Sequence, residues 1–190
     1  MIRIPTASLL GAALLATAGC ATTATTSENG LPMVGGAEMS PERTIVENAS
    51  MSADHETLVA ALDAAGLVET LEGEGPFTVL APTDDAFDDL PDGTVENLMN
   101  PAARSTLATI LSCHVIPAKA MSADVVAMVE GDGGEHEVET VGGCTIVAKA
   151  DGDTVTFTDE NGTVATVTRA DVEQSNGVIH VVDTVLLPQR

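Results

Sequence analysis

The segment FTVLAPTDDAF, residues 77–87, decides the fold of this chain of 190 residues. Its first five residues are apolar or β-branched, which predicts a buried strand. Pro82 ends that strand, and Thr83 with the two acids after it predicts a helix N-cap, where negative charge opposes the helix dipole. A second segment, NGVIHVVDTVLLP at residues 176–188, predicts a long apolar strand near the end of the chain. We therefore expect one domain organised around these two strands.

Helical periodicity lies on both sides of the first strand. A short helix is predicted to begin at Ile45, and a second to end at Gly66 with Asp54 or Ser52 as its cap. A third is predicted from the Asn-Pro pair at 100–101, which gives a cap followed by a first helical residue. The buried faces of the second and third helices are expected to comprise Leu58, Leu62, Ala65, Ala103, Leu107, Ile110 and Leu111.

After Pro117 the hydrophobic period changes toward two, which predicts strands. The Val, Thr and Ile-rich segments are 138–141, 144–149, 154–158, 163–168 and 178–187. Several of the turns between them contain glycine, at Gly142-Gly143, Asp151-Gly152 and Asn161-Gly162, as expected for hairpins. Helices followed by a largely antiparallel sheet predict an α+β domain.

Residues 1–19 have the pattern of a signal peptide, with Arg3 ahead of an apolar run at 7–16 that is too short to span a bilayer. The next four residues, TAGC at 17–20, resemble a bacterial lipobox, although Thr17 stands where Leu is usual. This predicts lipidation at Cys20. The alternative is an ordinary secretory cleavage after Ala18 that leaves Cys20 as a free thiol.

Residues 20–42 are rich in Thr, Ala, Gly and Ser and are predicted to form a flexible tether, with a reach of roughly 25 Å. The folded domain is expected to comprise residues 43–190. Together these features predict an exported protein in the periplasm or on the outer cell surface, anchored to a membrane by lipid.

Composition excludes some kinds of partner. The chain has 29 acidic residues against 7 Lys and Arg, a formal charge of −22, and its cations are scattered. No basic face is available to neutralise phosphates, so nucleic acid is not expected as a partner. With no Trp or Tyr and 3 Phe, sites that bind sugars or bases by aromatic stacking are also disfavoured.

The two segments quoted above, with SCHVIP at residues 112–117 between them, resemble the fasciclin domain in their order and spacing. The resemblance implies a β-sandwich or wedge with a helical layer, and a role in adhesion or matrix contact instead of catalysis. His114 and His180 lie at positions of the family motifs. Cys113 stands where the family has a Tyr tied to receptor adhesion in animal members, which puts that binding mode in question here.

Two cysteines of the exported domain, Cys113 and Cys144, are predicted to form a disulfide, with two buried reduced thiols as the alternative. Cys113 and His114 are not expected to form a catalytic dyad, because neighbours on a strand point to opposite faces. His114 and His180 lie in apolar runs, where a hydrogen-bonded core histidine is the commoner outcome than a metal ligand.

No cofactor or metal is expected. The segments 151–153 and 159–162 offer oxygens to Ca²⁺, but hairpin turns explain them more simply. Motifs for nucleophilic, phosphate or dinucleotide chemistry are absent, so we do not expect an enzyme. The leading hypothesis is a membrane-tethered adhesion or interaction module for an unknown envelope, matrix or cell-surface component. The alternative is a periplasmic module that binds a small apolar or lipid ligand between sheet and helices.

Overall fold

The computed structural model describes residues 30–91, 93–152 and 154–189. The helices are α1 (Ile45–Ala49), α2 (Glu56–Ala65), α3 (Val68–Leu71), α4 (Asp84–Asp88), α5 (Thr94–Leu98), α6 (Arg104–Ser112) and α7 (Ser122–Gly131), with a 3₁₀ turn at Pro101–Ala103. The strands are β1 (Met33–Val34), β2 (Ala37–Glu38), β3 (Phe77–Pro82), β4 (Val115–Ile116), β5 (His136–Glu139), β6 (Thr145–Asp151), β7 (Thr154–Thr158), β8 (Val164–Gln174) and β9 (Gly177–Val182).

The main sheet has the order β4-β3-β9-β8-β7-β6-β5. Neighbouring strands are antiparallel except for β3 and β9, which run parallel with Leu80 opposite His180. The two segments that decide the fold are therefore hydrogen-bonded to each other at the centre of the molecule. The predicted α+β class with a largely antiparallel sheet is confirmed.

Strands β3 and β9 are buried on both faces, which explains why their sequences are mainly apolar. Val79 and Ala81 of β3 pack into a core shared with the helices, together with Leu58, Leu62, Phe87 and Leu107. Leu80 of β3 belongs to a second core on the other face, with Ile146, Val155 and Phe157 of β6 and β7 and Val129 of α7. The fold thus has a helical layer, a central strand pair and an outer layer of strands.

Strand β8 passes from one layer to the other. It pairs with β7 at its beginning and with β9 further along, and its register shifts between Val167, Arg169 and Val172. Asp171, within the irregular part, has a left-handed φ of 59°. A bulge of this kind bends a strand, and here it turns the sheet into a wedge around the second core.

The helix starts agree with the sequence in part. Thr44 caps α1 and Thr83 caps α4, each accepting from a backbone N–H of its first turn, and Asn100 caps the 3₁₀ turn that precedes α6. The predicted cap of α2 is wrong, because neither Ser52 nor Asp54 caps that helix.

A distant residue, Asp84, supplies the cap of α2 instead. Its carboxylate accepts from Thr57 N at 2.8 Å and from Glu56 N at 3.3 Å. Local sequence does not reveal this cap, because Asp84 is 27 residues away from Thr57. Gly66 ends α2 as predicted, with a left-handed φ of 75°.

Three helices were absent from the prediction, namely α3, α5 and α7. The largest, α7, lies between Pro117 and residue 138, in a stretch to which the sequence assigned no element of its own. Its sequence contains three valines, at 125, 126 and 129, whose β-branched side chains favour strands, while its packing against β6 and β7 fixes it as a helix. Strand β9 also ends at Val182 and does not reach residue 187 as predicted.

The predicted tether, residues 20–42, is wrong in its second half. Residues 31–40 form a strap that includes the β1–β2 hairpin, with Val34 and Met39 buried at 7% and 2% exposure. Gly35 lies so close to the main body that a Cβ there would be 2.8 Å from Ala53 N. Sequence composition missed these contacts because Val34 and Met39, the buried residues of the strap, form no periodic hydrophobic pattern. The predicted signal peptide, residues 1–19, and the first part of the tether lie outside the described residues.

Candidate functional site

The first motif histidine, His114, follows the C-terminal end of α6 and is 2% exposed. Its Nδ1 donates to the carbonyl oxygen of Ile110 at 2.8 Å, and its Nε2 accepts from Leu186 N at 3.0 Å. A carbonyl only accepts and an amide N–H only donates, so these partners fix the neutral tautomer. His114 therefore joins the end of a helix to the segment that follows β9.

The second motif histidine, His180, lies on β9 and is also 2% exposed. Its Nε2 donates to the carbonyl oxygen of Ala120 at 2.9 Å, and its Nδ1 accepts from Asp171 N at 3.2 Å. This is the opposite tautomer from that of His114. His180 thereby connects β9 to the loop before α7 and to the bulge of β8.

Burial lowers the pKa of both His114 and His180, and the carbonyl bonds and nearby carboxylates oppose this shift less strongly. Both rings are therefore neutral near pH 7. Since each ring uses both nitrogens on backbone groups, neither is available to coordinate a metal or to contact a partner. The structure places both residues as hydrogen-bonded links inside the core.

The sulfurs of Cys113 and Cys144 form a disulfide with a Cα–Cα distance of 5.4 Å. Beside it, Val141 N donates to Val115 O at 2.8 Å and Gly142 N donates to Ser112 O at 3.0 Å. These bonds join the segment after β5, at one edge of the sheet, to β4 at the other edge. The disulfide therefore closes the sheet on itself.

Cys113 and His114 do not lie on a strand, so the prediction that they point to opposite faces of a strand is wrong. Cys113 is the C-cap of α6 and His114 lies in the turn before β4, because α6 extends further than the sequence suggests. Cys113 and His114 do not form a catalytic dyad for another reason. The Cys113 sulfur is in the disulfide, and both ring nitrogens of His114 bond backbone groups.

Asp171 forms a polar contact that the sequence did not reveal. Its carboxylate accepts from Ser122 N at 2.7 Å and from the Ser122 hydroxyl, so it caps the first turn of α7. His180 is nearby but bonds only backbone groups, and the Ser122 hydroxyl does not bond to it. A serine, a histidine and an aspartate thus lie together without the relay that nucleophilic catalysis needs.

Asp159 explains the turn that resembled a calcium loop. This carboxylate is 7% exposed and accepts from the N–H groups of Asn161, Thr163 and Leu187, each at 2.8 to 2.9 Å. It organises the β7–β8 turn and holds the C-terminal segment. Within residues 30–91, 93–152 and 154–189, no group of three or more His, Cys, Asp or Glu is arranged to hold a metal. Asp153, part of the other candidate segment, is outside these ranges.

Three open grooves of about 600, 550 and 480 Å³ are present on the described surface. The largest lies beside Asn176 and is lined by Glu72, Glu74 and Lys119 among others. Between sheet and helices, where the alternative hypothesis puts a small apolar or lipid ligand, the described residues enclose a cavity of about 10 Å³ beside His55. That is roughly the space for one water molecule. The alternative hypothesis therefore finds no support.

The surface is acidic with dispersed cations. In the described ranges the Lys and Arg residues are Arg43, Arg104, Lys119, Lys149 and Arg169. Lys119 pairs with Glu173 and Lys149 with Glu135, each at 2.7 Å, while Arg104 Nε donates to the carbonyl oxygen of Ala65 at 3.2 Å. These cations belong to separate elements and do not form a basic face.

The predicted lipidation site, Cys20, lies outside the described residues. Among the helices that the structure does describe, none has the length and apolar character needed to cross a bilayer.

Comparison with known proteins identifies relatives of this chain. Protein sll1483 of Synechocystis sp. is 48% identical over 149 residues, which cover 76% of this chain and 73% of that protein. The cell surface glycolipoprotein MPB83 of Mycobacterium bovis is 31% identical over 189 residues, which cover 97% of this chain and 74% of that protein.

A solved structure supports the fold. The FAS1 domain pair from the insect cell adhesion molecule fasciclin I matches with a TM-score of 0.68 at 21% identity, over 77% of this chain. This chain spans about half of that structure, 51%, as expected for one domain of a pair. The sequence model of the fasciclin domain matches residues 53–188. This chain belongs to the fasciclin domain family.

Proposed function

We propose that this chain is a membrane-tethered, extracytoplasmic adhesion or interaction module, which binds an envelope, matrix or cell-surface component and does not transform it. One observation carries the proposal: MPB83, named a cell surface glycolipoprotein, aligns with 97% of this chain. An alignment of that extent reaches beyond the domain matched at 53–188. The lipobox-like segment ending at Cys20 fits the same interpretation.

The state of the reactive side chains supports binding without turnover. The thiols of Cys113 and Cys144 are joined, His114 and His180 each use both ring nitrogens on backbone groups, and the Ser122 hydroxyl bonds Asp171. General acid–base and nucleophilic catalysis both need a group that is free to exchange a proton or attack a substrate. These groups instead hold the domain together.

The acidic surface restricts the partner. With a formal charge of −22 and dispersed cations, the domain repels densely anionic surfaces and other copies of itself. We therefore expect the partner to present neutral or cationic groups at the contact.

The anchor is tested by expressing the full chain in a bacterial host fed an alkyne fatty acid, followed by membrane fractionation. The wild type should be labelled and pellet with membranes, whereas C20S should be unlabelled and soluble. T17L, which restores the usual lipobox residue, is the matched control and should be labelled at least as well as the wild type. Equal labelling of C20S and the wild type would contradict the anchor.

Binding is tested by crosslinking the full chain on its native membrane and identifying the captured components. Repeated capture of one envelope or matrix component at the surface is the expected result. Capture of no such component, together with turnover of a substrate by the purified chain, would contradict the proposal.

A further inference from the structure

A third buried histidine, His55, differs from the two motif histidines. It is 3% exposed, and its Nδ1 lies 2.8 Å from Ser52 Oγ. Its Nε2 has no hydrogen-bond partner, and it is the one buried side-chain nitrogen or oxygen in the described ranges of which this is true. Buried polar atoms are rarely unpaired, so this nitrogen needs an explanation.

The imidazole lines the cavity of about 10 Å³ between the sheet and the helices. Val34 and Met39 of the strap, residues 31–40, form its cover, and Val172 and Ile179 of the sheet form part of its floor. Such a cavity has room for about one water molecule and no more. Movement of the strap would open this cavity and admit water to His55.

Two charged groups face this histidine: Asp54 from its own loop and Asp84 from α4. The strap, β8 and β9 present only apolar side chains to it. The Ala81 backbone of β3 lies close enough to favour the protonated ring but outside hydrogen-bond geometry. Burial outweighs these effects and lowers the pKa of His55.

Gly35 and Ser40 of the strap form hydrogen bonds with the domain. Ala53 N donates to Gly35 O at 3.1 Å. The Asn48 side chain bonds both the N–H and the carbonyl oxygen of Ser40, at 3.1 and 2.7 Å. A hairpin that packs on the outside of a domain opens at a lower free energy than the central strands do.

We propose that the strap is an acid-released latch, in which a proton on His55 opens residues 31–40 while the sheet and helices remain folded. Opening gives the imidazolium the water that the closed cavity excludes. The domain would then begin near residue 43, at the boundary that composition alone predicts for the tether. If the anchor at Cys20 holds, as proposed above, release would also lengthen the stand-off from the membrane, but the latch itself does not depend on the anchor.

The test is hydrogen–deuterium exchange on the full chain between pH 7.5 and 5.0, corrected for the intrinsic pH dependence of exchange. Amides of the strap should lose protection by up to about tenfold per pH unit below 6.5, as one linked proton requires. Amides of β3 and β9 should stay better protected than the strap at every pH, although proton uptake by His114 and His180 on unfolding also lowers the stability that protects them. Unchanged strap protection would overturn the latch, and so would equal protection of strap and β9 amides, because that pattern indicates that both exchange by global unfolding.

The variants H55N and H55Q remove the titrating group and H136N serves as the control, since His136 is on β5 and pairs with Asp132. Strap exchange should become independent of pH in whichever His55 variant folds, and should follow the wild type in H136N. A pH response retained without the imidazole would assign the release to another group. If neither His55 variant folds, the wild-type profile still overturns the latch when the strap keeps its protection at pH 5.0.

Discussion

Two regions of this molecule are built around a buried histidine, and they differ in how the ring is satisfied. At the closure of the sheet, His114 bonds Ile110 O and Leu186 N, beside a disulfide and two backbone bonds between the edges. Under the strap, His55 bonds only Ser52 and has an unpaired Nε2. His114 therefore joins two segments of the core, because both of its ring nitrogens bond backbone groups. His55 has a backbone partner for neither nitrogen, so one of its nitrogens is buried without a hydrogen bond.

The largest effect should come from exchanging each ring for a leucine of similar size. H114L leaves Leu186 N unpaired in the core and removes one of the two bonds to Ile110 O, which keeps the bond from Cys113 N, so the free energy of unfolding should fall by about 3 to 4 kcal/mol. H55L removes a single bond, and Ser52 Oγ keeps the bond from Asp54 N, so the cost should stay within about 1 kcal/mol. Urea denaturation at pH 7.5 measures both. If H114L and H55L lowered the free energy of unfolding equally, the two histidines would not differ in their contribution to stability.

The disulfide provides the second comparison, because it lies in the first region only. C113A/C144A should lower the free energy of unfolding by about 3 to 4 kcal/mol in the loop-entropy model, given a separation of 31 residues. The intact mass under non-reducing conditions should also be about 2 Da below the reduced mass, since two protons are lost. An intact mass that is the same under reducing and non-reducing conditions would show that the disulfide does not form. Hydrogen exchange of the strap should be unaffected by the double substitution.

Local sequence predicted the features whose physical cause is local. The central strands, the caps at Thr83 and Asn100 and the stop at Gly66 depend on residues within a few positions of each other. The buried state of His114 and His180 follows from the apolar runs in which they lie. The family resemblance then supplied the wedge and its helical layer.

The remaining features arise from residues far apart in the sequence. Asp84 caps α2 from 27 residues away, and the Asn176 side chain bonds Leu71 O from a separation of 105 residues. The strap is folded because Val34 and Met39 meet a cavity that does not exist until the domain forms. Tertiary contacts of this kind have no periodic pattern, so composition assigned the strap to the tether.

The stability of the domain should depend on pH through His114 and His180, the two histidines whose ring nitrogens all have hydrogen-bond partners. The pKa values of His114 and His180 are lowered in the folded state, so the unfolded state binds more protons below about pH 6.5. Stability should therefore be complete above that pH and fall below it, by up to about 1.4 kcal/mol per pH unit for each histidine. H180Q should reduce the slope between pH 6.5 and 5.5 relative to the wild type, whereas H136N should not. Identical slopes in wild type and H180Q would show that His180 does not titrate on unfolding.

The smallest effect lies in the strap region, at the carboxylate of Asp84. D84A removes the cap of α2 and should cost about 1 kcal/mol, while D88A, at an exposed position of the same short helix, should change stability by less than about 0.5 kcal/mol. Asp84 also faces His55 and favours its protonated form, so its loss lowers the pKa of His55 further. Loss of strap protection should accordingly continue to a lower pH in D84A than in the wild type or D88A before it levels off at the pKa of the closed state, as followed by hydrogen exchange. A cap that acted on stability alone would leave the pH at which the loss levels off unchanged, so this shift separates the electrostatic contact with His55 from the capping of the helix.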